Sequence, residues 1–475
     1  MKQRIVRSRE HASPGGEFVL YWMQQAQRVA FNPALEYAMK QARERNLALI
    51  IAFVLSDEIE NAQEAHCYFM IQGISDVAKT LRYHRADFRI YAHDPVAVIS
   101  ELGKDASLVV MDHGYLKWQR SMRDKIFDQL PHSSIMEIDT EAVIPIHQVS
   151  DKEEYSAATL RRKILKLLPE YLDFAQDELP GFHRADTKLM DEFRFLGDAT
   201  DLEALWSFCR SRIKLGNQAV TSSVMGGSSA AIARIKDFAK NKLQYYSTLR
   251  NHPNLDYQSH MSSYLHFGQI SPIQIIKELK GDHDAYSLRT ILAQRKSLEG
   301  DVLNLADYLE ELVVRRELSM NFCSYNDDYD SFSGLPSWAK ASLMNHLGDP
   351  RDYSYGIEVY QSAETHDPYW NAAQQELMST GMMHNYMRMY WGKKVLEWSE
   401  HPEAAFEMLL HLNNLYATDG RDANSYAGVA WCFGKHDRPW QERKIFGMIR
   451  YMNAAGLERK YDMQAYVSKG AGREL

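Results

Sequence analysis

The feature that most constrains the fold of this chain is where its strand-forming runs stop. In the first 140 residues short apolar runs recur at FVLYWM (18–23), LALIIAFVL (47–55), FRIYAHD (88–94), SLVVMDHG (107–114) and SIMEID (134–139), with amphipathic segments between them. One of these segments, NPALEYAMKQARERN (32–46), has the Asn-Pro start of a helix. Strands alternating with helices call for a parallel sheet covered on both faces. Beyond about residue 202 the strand runs vanish, and the chain reads as helix after helix with short Gly, Pro and Asn turns. Between these parts, SDKEEYSAATLRRKILKLLPEYL holds one helix and PGFHRAD (180–186) interrupts the pattern. The expected organisation is therefore a Rossmann-like α/β domain with a parallel sheet over 1–145, a connector over 146–205, and an all-helical domain over 206–475. No fixed-period repeat marks a solenoid.

A chain of 475 residues with 45% hydrophobic residues can bury more than one core. It has no apolar run long enough to span a membrane and no apolar leader core behind its basic start. The four cysteines, Cys67, Cys209, Cys323 and Cys432, are far apart and form no CxxC pair, which fits a reducing compartment and a cytoplasmic protein. The 18 histidines fall into no zinc-site spacing, so no metal is expected. A net charge of −8 argues against diffuse nucleic-acid binding, so any DNA contact needs a local basic face. The 27 tyrosines and 9 tryptophans serve either a ring-packed core or the stacking of cofactor and bases.

No GxGxxG follows the first strand, although ligands of such sheets still gather at the carboxyl ends of the strands. In the helical half, Gly226-Gly227-Ser228-Ser229 precedes a helix bearing Arg234, Lys236, Lys240 and Lys242; it is either a turn with a serine cap or a phosphate cradle. YQSHMSSYLHFGQISP (257–272) places hydroxyls beside an aromatic run. YLEELVVRRELSMNF (308–322) reads as one helix, with Glu311 and Arg315 as an i,i+4 pair. THDPYWNAAQQELMSTGMMHNYMRMYW (365–391) reads as two helices, with Asp367 as N-cap, Pro368 in the first turn and Gly381 as a left-handed terminator. Trp391 and Trp398 are two helical turns apart on one face, a core stripe or an electron path. LNNLYATDGRDANSYAGVAWCFGKHDRPW (412–440) is an amide- and acid-rich loop region.

Together these motifs, in this order, resemble the class II cyclobutane pyrimidine dimer photolyases of the photolyase/cryptochrome family. The resemblance also covers FVLYWMQQAQRVAFNPAL and the SDKEEYSAATLRRKI helix. It implies FAD, active as FADH−, in the helical domain, held by Tyr246, Ser259, Met261, Ser262, Gln269, Arg388, Asn413 and Asp419. The family's Ser-x-Leu-Ser stretch here reads Ser259-His260-Met261-Ser262, and Ser263 stands where proline is usual. It assigns catalytic roles to Glu311, which orients and polarises the dimer as a buried acid of raised pKa or as a charge-compensated one, to Asn413 beside flavin N5, and to Trp431, which stacks on the dimer. Trp391, Trp370 and Trp398 correspond to an electron-transfer chain. Arg315, Met389, Trp431, Lys435, Arg438 and Arg443 are the expected DNA contacts.

The implied reaction is light-driven electron transfer from the reduced flavin to a pyrimidine dimer flipped out of UV-damaged DNA, with return of the electron after the ring splits. That makes the protein a lyase, monomeric, and nucleoid-associated if bacterial. A second, antenna chromophore of unnamed identity is compatible with the sheet domain. The alternative within the family is a cryptochrome-like flavin photoreceptor. A 6-4 photolyase needs a histidine pair that is not evident beside Trp431, and a ligase or transferase built on the sheet lacks a phosphate loop.

Overall fold

The computed structural model describes residues 4–11, 15–176, 179, 191–216 and 224–470. The expected break at PGFHRAD (180–186) lies outside the described residues. All five anticipated strands form: β2 (Phe18–Met23), β3 (Ala48–Leu55), β5 (Asp87–Ala92), β6 (Ala106–Asp112) and β7 (Ile135–Ile138). They pair in parallel and, with β1 (Ile5–Arg9) at one edge, make a six-stranded sheet of order β1-β7-β6-β2-β3-β5. Helices α1 (Pro33–Arg45), α2 (Glu64–Tyr83), α3 (Pro95–Gly103) and α4 (Lys117–Gln129) follow successive strands. The Asn32 side chain caps α1 by accepting from Leu35 N, and Pro33 opens the helix. Both faces of the sheet are buried, which is why its strands read as unbroken apolar runs. Along β2, Phe18, Leu20 and Trp22 enter one core while Val19, Tyr21 and Met23 enter the other.

Three strands depart from expectation. β1 (Ile5–Arg9), in the basic N-terminal stretch, adds to the sheet edge antiparallel to β7, so the sheet is mixed rather than wholly parallel. β4 (Glu58–Gln63) and β8 (Lys214–Gly216) form a separate two-stranded parallel ladder, so strands do not end before residue 202. Their short, polar sequences have no apolar alternation for a periodicity argument to detect. The Leu202–Arg212 helix docks on α2, where Trp206 meets Tyr68 edge-on at 5.4 Å and Arg210 pairs with Glu64 at 2.8 Å.

The strand order reverses between β2 and β6, where ligands of open α/β sheets gather. Asp112, fully buried at the end of β6, accepts from Gln24 N, Gln25 N and Ala26 N at 2.8–2.9 Å and from Tyr21 OH at 2.9 Å. One carboxylate thus fixes the turn by which the chain leaves β2. The sheet lobe is joined to the helices by buried polar groups. Arg28 donates to Thr140 O at 2.6 Å and Gly268 O at 3.0 Å, and Arg316 donates to Glu141 O at 2.9 Å. Glu317 Oε1 accepts from Val143 N at 2.8 Å and Ile144 N at 3.2 Å. Burial pushes the Glu317 carboxyl up to about 8, against the lowering effect of those two amides and Arg316.

The helical part begins its site-forming elements at the Gly300–Leu309 and Arg316–Tyr325 helices. Residues Glu310–Arg315 between them form a π-turn, so the single helix expected over 308–322 is interrupted. The Pro368–Thr380 and Asn385–Glu397 helices follow, with Asp367 accepting from Tyr369 N and Trp370 N and Gly381 at φ 71°. A Cβ at Gly381 would meet Thr418 Oγ1 at 2.1 Å. Trp398 is the C-cap of the second helix rather than its continuation. The Pro402–Tyr416 and Ala423–Cys432 helices complete the wall.

Candidate active site

A cavity of about 410 Å³ opens between these helices. It gathers Glu311, Arg315, Arg388, Met389, Trp391, Asn413 and Trp431 from four separate stretches of sequence. Residues not singled out individually from the sequence join them: Asn424 and Ser425 from the amide-rich stretch 412–440, and Arg250, Asn251 and Arg450. Among the described residues lining it are four arginines and one carboxylate, so the net −8 chain concentrates positive charge here.

Glu311 is neither buried nor paired with Arg315. Its Oε1 lies 2.9 Å from Arg250 Nη1, and its side chain is 36% exposed. The π-turn is the reason, because the extra residue rotates Arg315 away and brings it toward Glu310 at 3.6 Å. The fully buried acid of this turn is Glu310, held by two bonds from Arg161. Glu311 is thus a charge-compensated acid, the second of the two states expected for it.

Asn413 is oriented by a chain of bonds whose direction can be worked out. The backbone N–H of Arg421 donates to Asn414 Oδ1 at 2.8 Å, which identifies that atom as the carbonyl oxygen. The Ser425 hydroxyl donates to the same oxygen at 2.6 Å, so its single proton is committed. It can then only accept from Asn413 Nδ2, at 2.6 Å. The Asn413 amide nitrogen therefore faces Ser425, leaving its carbonyl oxygen for the cavity that the residue lines.

Arg388 donates to Asp419 at 3.0 Å. Burial alone would raise the Asp419 carboxyl, but Arg388, the Ser262 hydroxyl and His266 hold it below its ordinary value. Ser259 accepts from Tyr308 OH at 3.0 Å, and Met261 is buried. Tyr246, buried against Tyr308, accepts from Arg250 at 3.5 Å, and burial pushes its phenol up to about 12.

Behind the cavity the indoles of Trp391 and Trp370 stack at 6.1 Å and 13°. Trp370 meets Trp398 at 6.1 Å and 63°. All three are at most 3% exposed. Trp370, from the neighbouring helix, lies between two rings that sequence spacing alone had put side by side. Trp391 Nε1 donates to Gln374 Oε1, and Trp370 Nε1 donates to Trp391 O, each at 3.0 Å.

Some expected residues serve other purposes. Gln269 is fully buried, accepting from Gly227 N at 2.7 Å and donating to Phe69 O at 3.1 Å, so its amide ties the sheet lobe to the helices. Gly226 N donates to Gln72 and Ser229 N to the Asp76 carboxylate, which places an acid where a phosphate cradle needs free amides. Lys435 is buried, paired with Glu153, bonded to Gly334 O at 3.0 Å and set over the Phe322 ring at 4.2 Å. Its ammonium anchors the loop after Trp431 and is not presented to a phosphate. Arg438 and Arg443 are exposed, stacked over Trp440 and Tyr451.

A second cavity of about 370 Å³ lies at the carboxyl ends of β2 and β3, lined by Gln24, Gln25, Leu55, Cys67, Asn414 and Arg421 among others. Asn413 faces the first cavity and Asn414 the second, so their shared bonds with Ser425 form a wall between the two. Among the described residues no cluster of ligating side chains could hold a metal, and no helix is long and apolar enough to cross a membrane.

Residues 19–181 match the model of the DNA photolyase family. A deoxyribodipyrimidine photo-lyase from Methanothermobacter thermautotrophicus is 42% identical over 96% of this chain and 95% of its own length. One from Arabidopsis thaliana is 36% identical over 95% of this chain and 88% of its own. In structure, a Synechocystis cryptochrome superposes with a TM-score of 0.69 at 16% identity over 97% of this chain and 89% of its own. An archaeal photolyase from Sulfolobus tokodaii, described with two FAD molecules, gives 0.67 at 14% over 95% and 89%. The last two show the fold, and the two full-length relatives show more: the chain belongs to the photolyase/cryptochrome family and is an enzyme of it.

Proposed function

We propose that this protein repairs cyclobutane pyrimidine dimers in UV-damaged DNA with light, as a class II photolyase with FAD as its cofactor, active as FADH−. The observation that carries this reading is the single cavity that brings Glu311, Arg388, Asn413 and Trp431 together at the end of the Trp391–Trp370–Trp398 row. The domains are 1–145 for the sheet, 146–205 for the connector and 206–475 for the flavin-binding helices. The protein acts as a monomer in the cytoplasm.

The residues present fit a reduced, anionic flavin. Arginines outnumber carboxylates in the lining four to one, the Arg388–Asp419 pair supplies a fixed charge balance, and the Asn413 carbonyl is left as an acceptor for an N–H. Tyr246, Ser259, Met261 and Ser262 would hold the remainder of the cofactor. When bound, FADH− supplies the photoexcited electron that splits the cyclobutane ring and takes it back afterwards. The chain's own residues position and protect. The ion-paired carboxylate of Glu311 accepts from the dimer, and Trp431 offers a ring for the extruded bases to stack on. Arg315, Arg438 and Arg443 meet phosphates, which position the strand without reading sequence. Trp391, Trp370 and Trp398 conduct an electron inward from the protein's own rings. The second cavity, at the carboxyl ends of β2 and β3, is where an antenna chromophore would sit.

The absorption spectrum of the purified protein and blue-light repair of dimer-containing DNA test this together. Flavin bands with light-dependent repair are expected. Flavin bands without repair would favour a photoreceptor.

A further inference from the structure

One buried group near the cavity has no part in the roles above. Lys393, on the Asn385–Glu397 helix, is fully buried, and among the described residues no carboxylate pairs with it. Burying an ammonium is costly unless its donors find partners. Here the partners all belong to one neighbouring element, the Ala423–Cys432 helix that carries Trp431. Backbone amides already satisfy two of the last carbonyls of that helix. Phe433 N and Lys435 N donate to Ala430 O, and Gly434 N donates to Trp431 O. The carbonyl they leave over, Cys432 O, accepts from Lys393 Nζ at 2.5 Å. The lysine thus supplies positive charge at a helix C-terminus, where the dipole favours it. Its Nζ is also 5.1 Å from the centroid of the Trp431 ring, within cation–π range. Arg450, which lines the cavity, lies 5.6 Å from the same ring. The close approach depends on Gly392, where a Cβ would meet Cys432 Sγ at 2.6 Å.

We propose that Lys393 is a positioning residue of the lesion pocket: its ammonium, tied to the carbonyl end of the Trp431 helix and set against the indole, holds Trp431 as the platform on which extruded bases stack. This rests on the reading of Trp431 as the stacking residue. A half-buried ring with two cations within reach of it enters the complex already ordered, and ordering a side chain on binding is a cost that such pre-organisation removes. The charge is also conditional. Burial lowers the Lys393 ammonium to about 8, Cys432 and Asp437 raise it, and Arg450 lowers it further. Below that pH the cation is present; above it the contact with Trp431 loses its electrostatic part.

The test compares affinities of the flavin-loaded protein for a duplex with one thymine dimer and for the same duplex undamaged, from pH 7.0 to 9.0. For the unsubstituted protein the ratio of the two is expected to fall as pH rises through about 8. Lys393→Met should lower the ratio about tenfold at pH 7, the scale of one desolvated cation–π contact, and flatten the profile. Lys393→Arg should restore most of it, and Lys393→Met should add nothing in a Trp431→Ala background. A ratio for Lys393→Met within twofold of the unsubstituted protein would overturn the proposal. If Lys393→Met fails to fold, Lys393→Gln takes its place, and a ratio within twofold of the unsubstituted protein overturns the proposal in the same way. Loss of light-dependent repair in the unsubstituted protein would instead strike the functional reading itself.

Discussion

Glu311→Gln separates two ways an acid can hold a pyrimidine dimer. Glu311 Oε1 accepts from Arg250 Nη1 at 2.9 Å, which leaves Oε2 as the atom for the substrate. An ion-paired carboxylate presents acceptors on both sides, so it can serve the guanidinium and an imide N–H together. An amide cannot. If the glutamine oxygen stays on Arg250, its NH₂ meets the imide N–H; if it flips, its NH₂ meets Arg250. Either way one donor that the bound dimer would cover loses its partner, at a cost of about 1–3 kcal/mol. The ion pair itself contributes little to this figure, because both side chains are partly exposed, at 23% and 36%. The affinity for dimer-containing duplex should therefore fall roughly 5- to 150-fold, while flavin content and affinity for undamaged duplex stay as they were. Fluorescence anisotropy with both duplexes measures the loss, and bound flavin absorbance controls for integrity. Removing Arg250 as well frees the glutamine oxygen, so the double variant should lose less than the sum of the single losses. An affinity within twofold for Glu311→Gln would refute the reasoning, since glutamine mimics a protonated acid and the donor role would then be the true one.

Trp370→Phe should slow photoreduction of oxidised flavin, because Trp370 is the ring between Trp391 and Trp398; repair by chemically reduced protein should be nearly unchanged, and its collapse would remove the proposed electron role. Glu317→Gln should stabilise the protein in alkali. The folded-state carboxyl is raised to about 8 from an ordinary value near 4, so its share of stability is intact below about pH 4, drains as pH rises and is gone by about 8. Urea unfolding should thus show a difference of no more than about 1 kcal/mol at pH 5 and a gain on the order of 5 kcal/mol for the variant at pH 8.5. Arg438→Ala and Arg443→Ala should weaken binding to all duplexes and each lower the slope of log K against log salt by about 0.9. Lys435→Ala, by contrast, should leave that slope alone and lower stability by about 1–3 kcal/mol, because its charge is buried against Glu153.

How much was legible follows from what kind of signal each element leaves. The β2, β3, β5, β6 and β7 strands are buried on two faces, and such strands write themselves as apolar runs. The caps at Asn32, Asp367 and Gly381 are local chemistry and stand where local residues put them. The β4–β8 ladder left no trace, because it joins two short polar stretches far apart in the chain. The π-turn at Glu310–Arg315 was equally silent: one inserted residue changes which side chain meets which without changing composition. That single residue moved Glu311 from Arg315 to Arg250, and nothing in the NHPN stretch after Arg250 marked that arginine as part of a site. Lys435 and Gln269 show the reverse failure. Both are polar residues beside functional motifs, and both proved to be tied up in packing that only three-dimensional neighbours reveal. The tryptophans fall between these cases: two turns of helix correctly aligned Trp391 with Trp398, but the ring between them comes from another helix.

The most direct test of the central claim is dimer repair by the purified, flavin-reduced protein under blue light, with a dark control. Cyclobutane dimers should be lost from duplex DNA in the light and not in the dark, with Glu311→Gln impaired through binding. Protein that binds flavin and dimer-containing DNA yet leaves the dimers intact under light would contradict it.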